Sequence, residues 1–192
     1  MTKNRSLDDW MNAVGDAPAV GIDQTTPGTT DSVSVKSVGY AAPVSVTRPA
    51  NVTAYTANDV VGATAAAITF PTIGLSGGYI LITSVELEYD VAAIPSGLTT
   101  MALYLYNVTP PSALADNAAF DIPAGDRASF VGKIALGTLV DEGSTLYVRT
   151  NQVDAQVKLS GTSLFGYLVT AGGFTPAGNS EVLKVTLHAI GL

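Results

Sequence analysis

Apolar and polar residues alternate along much of this chain, most clearly between residues 84 and 91. The apolar positions of this stretch are Val85, Leu87, Tyr89 and Val91, and the polar positions are Ser84, Glu86, Glu88 and Asp90. Successive side chains of a β-strand point to opposite faces, so this pattern predicts an antiparallel strand with one buried face. The stretches 101–106 and 183–189 alternate in the same way and predict two further strands.

Strand signals continue through the rest of the chain beyond residue 40. Further strands are predicted over 44–47, 65–70, 130–139, 146–150, 156–160 and 164–170. Turns rich in Gly and Pro separate them, and 113–120 is interpreted as a short helical turn inside a loop. About eight to ten short strands without helical patterns between them predict an all-β fold. The favoured form is an antiparallel β-sandwich of the jelly-roll type.

The first 39 residues have a different character. Ser6 and Asp9 resemble a capping box, and Gly15 supplies a stop, which together predict a helix over about 6–14. Its apolar face has the spacing i, i+3, i+4, i+7 and consists of Leu7, Trp10, Met11 and Val14. The residues that follow, to about 39, are rich in Pro, Gly, Thr and Ser. We therefore expect an N-terminal extended arm (1–39) with a short amphipathic helix and a polar linker, followed by a β-sandwich domain (40–192).

The predicted helix needs a surface to pack against. Two helical turns are marginally stable in isolation, and Trp10 is the only tryptophan of the chain. We therefore interpret the face formed by Leu7, Trp10, Met11 and Val14 as a partner-binding site that docks into a groove of a neighbouring subunit.

Composition points to association. The chain is 47% hydrophobic but only 13% charged, and its mean hydropathy is +0.33. An ordinary soluble domain has about 25% charged residues. Burial of the excess apolar surface in a homo-oligomer or a larger assembly is one explanation. The alternative is a sandwich whose outer faces are covered by Thr, Ser, Ala and Gly.

Charge and cysteine content narrow the choice of partners. The net charge is -7 and the nine basic residues are scattered, so a nucleic-acid partner is not expected. No cysteine is present, which excludes disulfides and thiol chemistry and suits a reducing cytoplasm. Neither a secretory signal nor a membrane-spanning stretch is expected, because the apolar runs are short and interrupted.

The sequence offers little for catalysis. His188 is the only histidine, which excludes metal sites that need two histidines. We therefore expect no enzyme, no cofactor and no metal site. Binding of a hard cation stays open as an alternative, because two sets of carboxylates could present oxygens to it. The first set is Glu86, Glu88 and Asp90 on one strand face, and the second is Asp116, Asp121 and Asp126 in a loop region. The favoured interpretation is a solvated face for the first group and turn formation for the second.

Two tyrosines on one predicted strand face suggest a further alternative. Tyr104 and Tyr106 could form a stacking platform for a sugar, as in carbohydrate-binding modules. Packing of the two aromatic rings across neighbouring strands is the favoured interpretation.

Four segments resemble a family of tailed-bacteriophage virion proteins: 54–62 (AYTANDVVG), 116–120 (DNAAF), 165–169 (FGYLV) and 184–192 (KVTLHAIGL). The resemblance covers about residues 45–192 and does not include the arm. It implies a jelly-roll head decoration (cement) protein on the capsid surface, made in the host cytoplasm. The partners it implies are the major capsid protein and copies of the same chain, with a trimer favoured. A tail, baseplate or fibre component and a carbohydrate-binding module are the alternatives.

Overall fold

A computed structural model describes residues 38–63 and 66–192, and within them the chain is all-β with no helix. The ten strands are β1 (Gly39–Thr47), β2 (Val60–Val61), β3 (Ile68–Phe70), β4 (Tyr79–Tyr89), β5 (Thr100–Tyr106), β6 (Phe130–Thr138), β7 (Val140–Asp141), β8 (Leu146–Lys158), β9 (Leu164–Thr170) and β10 (Val182–Gly191). The predicted all-β fold is confirmed for this part of the chain.

The strands form two antiparallel sheets. One has the order β1-β10-β4-β8-β7, and the other has the order β2-β9-β5-β6, with β3 also paired to β9. The chain crosses repeatedly between the sheets, so each contains strands from both halves of the chain. With β2 and β3 counted as one interrupted strand, and β6 and β7 as another that passes from one sheet to the other, this is the eight-stranded winding of a jelly roll.

The core lies between the inner faces of the two sheets. On β4 the inner residues Ile80 and Ile82 precede a register shift against β8, and Val85, Leu87 and Tyr89 follow it, all 0 or 1% exposed. Against β10, Ile82 and Ser84 lie opposite the consecutive residues Ala189 and His188, so Thr83 is an extra residue on β4, and this bulge restores the inward direction of the apolar side chains. The alternation that the sequence predicts for 85–89 is therefore confirmed.

Several boundaries differ from the prediction. The segment 146–150 and most of 156–160 belong to one strand, β8, which pairs with β4 on both sides of residues 152–154. Positive φ angles at Gln152 (56°) and Asp154 (46°) mark an irregularity in its polar middle. No helical turn forms within 113–120, and the short strands β2 and β7 were not predicted. The arm with its helix over 6–14 lies outside the described residues.

The long segment 107–129 between β5 and β6 returns across the outer face of the second sheet. The backbone N–H of Val60 donates to the Ala118 carbonyl at 2.8 Å, and that of Phe120 donates to the Asn58 carbonyl at 2.8 Å. This segment therefore reaches the end of the sandwich at which β1 ends and β10 begins, where the polar residues described next are buried.

Candidate functional site

A buried polar network links the two sheets at this end of the sandwich. Arg48 directly follows β1 and is only 1% exposed. Its Nη1 lies 3.1 Å from Oε2 of Glu181, which directly precedes β10, and its Nε donates to the hydroxyl of Tyr55 at 2.5 Å. Glu181 lies at the margin of the first sheet, and Tyr55 lies in the loop that leads to β2 of the second sheet. The guanidinium therefore contacts groups from both sheets.

The network continues in both directions from Arg48. The Tyr55 hydroxyl donates to Oδ1 of Asp116 at 2.5 Å, and the same oxygen accepts the backbone N–H of Gly62 at 3.0 Å. On the other side, the Tyr89 hydroxyl donates to Oε2 of Glu181. These bonds connect β1, β4 and β10 with the loops that cover β2 and β9, so the network acts as a polar clamp between the sheets.

Burial changes the acid–base behaviour of this network. Burial, and then the hydrogen bond to Asp116, raises the pKa of Tyr55 well above its ordinary value. Burial and the hydrogen bond to Glu181 do the same for the pKa of Tyr89. Burial is the largest single influence on the pKa of Arg48 and lowers it, but the hydrogen bond to Tyr55 and the charge interactions with Tyr55, Tyr89 and Asp116 together outweigh burial, so the net direction is upward. Both tyrosines are therefore kept neutral, and Arg48 stays charged.

We expect alkaline pH to destabilise the fold through these tyrosines. Their pKa values are higher in the folded chain than the value of about 10 in the unfolded chain, so their contribution is complete below pH 10 and is lost as the pH rises above it. Each such tyrosine adds a slope of up to about 1.4 kcal/mol per pH unit. Urea unfolding between pH 8 and about 11.5 measures this, with Tyr89→Phe expected to reduce the slope.

The matched control is Tyr79→Phe, because Tyr79 is 47% exposed and lies outside the network. This variant should keep the slope of the unmodified chain. Equal slopes for Tyr89→Phe and the unmodified chain would show that the buried tyrosines do not govern alkaline unfolding.

The carboxylates on β4 are engaged by the chain's own cations. Glu86 Oε1 lies 3.1 Å from Nη1 of Arg149 and 3.3 Å from Nε2 of His188. Glu88 Oε1 accepts from Nζ of Lys184 at 2.8 Å. These pairs form a half-exposed ladder across β8, β4 and β10. Glu86 and Glu88 therefore lie on a partly solvated, ion-paired outer face, and Asp90 is exposed just beyond the end of β4, as favoured from the sequence.

The three aspartates of the second group lie apart and make separate interactions. Asp116 belongs to the buried clamp, whereas Asp121 caps the backbone N–H of Ile122 at 2.8 Å. Asp126 is 1% exposed and accepts the backbone N–H of Ser112 at 3.3 Å. In residues 38–63 and 66–192, no three His, Asp or Glu side chains converge as metal ligands would.

The alternative of a sugar platform on β5 is contradicted, and the favoured interpretation, packing of the two tyrosines, agrees with the structure. Tyr106 is fully buried, and Phe120 of the returning segment packs on Tyr104 with ring centroids 4.1 Å apart. Phe130 and Tyr167 complete an aromatic cluster with Tyr106, at centroid distances of 5.4 and 6.1 Å. The two tyrosines pack across strands, and no ring face is left for a sugar. Burial also raises the pKa of Tyr106 to about 12.

The predicted partner-binding residues Leu7, Trp10, Met11 and Val14 lie outside the described residues, so their role stays a prediction. The clamp, in contrast, was missed by the sequence analysis. Its one local signal is Arg48, an isolated charge between a predicted strand and Pro49. Its partner Glu181 is 133 positions away, beyond the reach of any local pattern. Within the described ranges, no helix is both long and apolar enough to cross a membrane.

Comparisons with known proteins assign no family, because no family model and no curated protein matches the chain. Among solved structures, the chain is similar to one from the cyanophage Pam1 capsid asymmetric unit, at 16% identity and a TM-score of 0.33, covering 91% of this chain and 99% of that chain. It is similar to a chain of the Israeli acute paralysis virus full particle, at 13% identity and 0.29, covering 98% and 83%. A third is from Desmodium yellow mottle tymovirus, at 14% identity and 0.28, covering 88% and 97%. At TM-scores this low, the similarities carry no argument.

Proposed function

We propose that this chain is a non-enzymatic structural subunit of a virus particle, and more specifically a head decoration (cement) protein of a tailed phage. The observation that carries the proposal is the placement of three segments that resemble phage virion proteins. The segments 54–62, 116–120 and 165–169 are far apart in sequence, yet they meet at one end of the sandwich.

Backbone hydrogen bonds join these three segments directly. Val60 donates to the Ala118 carbonyl, and Asn117 donates back to the Val60 carbonyl, both at 2.8 Å. Val60 and Val61 also pair with Val169 and Leu168 of the third segment, within β9. Turn motifs that matched by chance would have no reason to assemble into one unit. The contacts support a shared structural design rather than unrelated turns.

The chemistry of the clamp also supports a structural role. Arg48, Glu181 and Tyr55 are at most 8% exposed, and their side chains form hydrogen bonds with one another and with Tyr89, Asp116 and Gly178. A catalytic group must reach a substrate in a cleft, whereas these side chains are covered by the loops they connect. The arrangement fixes the ends of β1 and β10 and the loops around them.

The arm supplies the attachment in this proposal. The face formed by Leu7, Trp10, Met11 and Val14 docks on the major capsid protein or on a neighbouring copy, and the charge-poor β-domain associates with further copies, a trimer being favoured. A buried Trp at such an interface contributes strongly to affinity. Multiple attachment points on a shell increase the total binding further.

Binding of the full chain to phage heads that lack this protein tests the proposal. Density for the added chain is expected at capsomer junctions in cryo-electron microscopy maps. Trp10→Ala should weaken binding by about thirtyfold, because loss of an interface Trp costs roughly 2 kcal/mol or more. Trp10 is the only tryptophan, so its fluorescence reports on this segment alone.

Asn12→Ala is the control, because Asn12 lies off the predicted apolar face, and it should bind like the unmodified chain. Density on the tail, baseplate or fibres would show that the chain is a component of those structures and not a head protein. Absence of binding to any part of the particle would contradict a virion role. Equal affinities of Trp10→Ala and Asn12→Ala would remove the arm from the attachment site.

A further inference from the structure

We propose that the end of the sandwich opposite the clamp carries a binding site for a neutral saccharide, formed by two adjoining clefts beside residues 107–109. This site is distinct from the Tyr104–Tyr106 platform, and it does not depend on the proposed virion role. It would give the chain a ligand-binding activity in addition to a structural one.

The clefts have cavity volumes of about 340 and 350 Å³, within the range typical of small-molecule sites. Both are lined by Asn107, Val108, Thr109 and Ser160. The first continues along the loop between β8 and β9 to Thr162, Ser163 and Phe165, and the second continues beneath Pro111 to Ser129. The residues that line both clefts, here called the ridge, lie between them, so the two clefts form one elongated surface. Such a surface suits an extended chain of sugar units.

The lining is uncharged and combines hydroxyl and amide groups with a larger share of apolar surface. In a chain with a net charge of -7, no Asp, Glu, Lys or Arg of the described residues lines either cleft. The side chains that face ligands here are one amide and several hydroxyls, with the apolar Val108 and Phe165 between them. Each hydroxyl donates one hydrogen bond and accepts two, which matches the mixed donors and acceptors of sugar hydroxyls. An ionic ligand would find no counter-charge.

The polar side chains of the first cleft are free to bind. Within the described residues, no intramolecular hydrogen bond engages the side chains of Asn107, Thr109, Ser160, Thr162 or Ser163. By contrast, the Ser129 hydroxyl of the second cleft donates to the Asp126 carbonyl at 2.9 Å. The unoccupied groups are concentrated where the loop between β8 and β9 meets the ridge.

The backbone around these groups is held in place. The Ile73 N–H donates to the Thr162 carbonyl at 2.8 Å, and the Leu159 N–H donates to the Gly78 carbonyl at 2.9 Å. On the other side, the Asn107 N–H donates to the Ser129 carbonyl at 3.0 Å. A fixed site loses little conformational entropy on binding, so weak individual contacts can add up to measurable affinity.

Saturation-transfer NMR and isothermal titration of the full chain test this site with three neutral tetrasaccharides: maltotetraose, cellotetraose and chitotetraose. At least one is expected to bind, and the acidic tetragalacturonate is expected not to bind. Asn107→Ala and Thr162→Ala should each weaken the binding by about tenfold, through loss of hydrogen bonds to the ligand.

Ser45→Ala is the matched control, because Ser45 lines a separate cleft that also contains Glu88 and Lys184. It should leave the affinity unchanged, and urea midpoints should show that all three variants are folded. The proposal is overturned if none of the neutral tetrasaccharides binds. It is equally overturned if the two cleft variants bind like Ser45→Ala, or if tetragalacturonate is the preferred ligand. None of these results bears on binding to phage heads.

Discussion

Replacing Arg48 with alanine is expected to lower the free energy of unfolding by about 3 to 5 kcal/mol. The side chain is fully buried, and its removal leaves the Glu181 carboxylate, itself 6% exposed, without its cation. The Tyr89 hydroxyl and the Gly178 N–H still donate to Glu181, but they cannot neutralise its charge. Tyr55 also loses the donor that aligns it with Asp116. Urea unfolding at neutral pH measures the loss.

Arg149→Ala is the matched control for this variant. Arg149 also pairs with a glutamate at 3.1 Å, but its side chain is 45% exposed, so the expected cost is at most about 1 kcal/mol. A further variant, Arg48→Met with Glu181→Gln, removes both charges and keeps an acceptor for Tyr89. It should be more stable than Arg48→Ala. A cost for Arg48→Ala no larger than that for Arg149→Ala would contradict the clamp.

Gly97→Ala is expected to destabilise the fold by about 2 to 5 kcal/mol. Gly97 has a φ of +87° in the turn between β4 and β5, closed by the Leu98 N–H donating to the Pro95 carbonyl at 3.0 Å. A Cβ atom at this position would lie 2.6 Å from the carbonyl oxygen of Gly173. Because that oxygen belongs to backbone, the loop between β9 and β10 would have to move. Thermal and urea unfolding measure the effect.

Gly143→Ala separates backbone conformation from this contact. Gly143 has a φ of +98°, but a Cβ there would meet no atom within 4 Å. Its replacement should therefore cost only the conformational part, about 1 to 2 kcal/mol. If the two variants are equally stable, the close approach of the two loops does not contribute.

Strands with one apolar face were predicted well from the sequence. The range predicted for β9, 164–170, agrees with the structure at both ends, and β4 shows the expected alternation from Val85 to Tyr89. In each case the alternation of apolar and polar residues shows which face of the strand is buried, and this alternation can be seen from neighbouring residues alone. For β8 the prediction divided one strand into two. Its middle is polar and exposed around Gln152, so no apolar face is visible there, and pairing with β4 on both sides of residues 152–154 joins the two predicted segments.

The candidate sites were predicted less well, because they depend on which loops meet. Tyr104 and Tyr106 share a strand face as expected. Whether that face is open to a sugar depends on a segment of more than twenty residues that returns to cover it. Likewise, the three charged groups of the clamp, Arg48, Asp116 and Glu181, have no common motif. Arg48 and Glu181 become neighbours only when the strand order places β1 beside β10, and Asp116 joins them through Tyr55 when the segment 107–129 returns.

The sequence by itself determined the fold class, the inward apolar faces and the positions of most turns, since each follows from the properties of neighbouring residues. It also determined that His188 is the only histidine, which excludes metal sites that need two histidines. The tertiary structure alone decided which polar groups are buried together, which aromatic face is covered, and where uncharged clefts remain open. Those outcomes depend on contacts between residues about ten to more than a hundred positions apart, and no period or spacing in the chain records them.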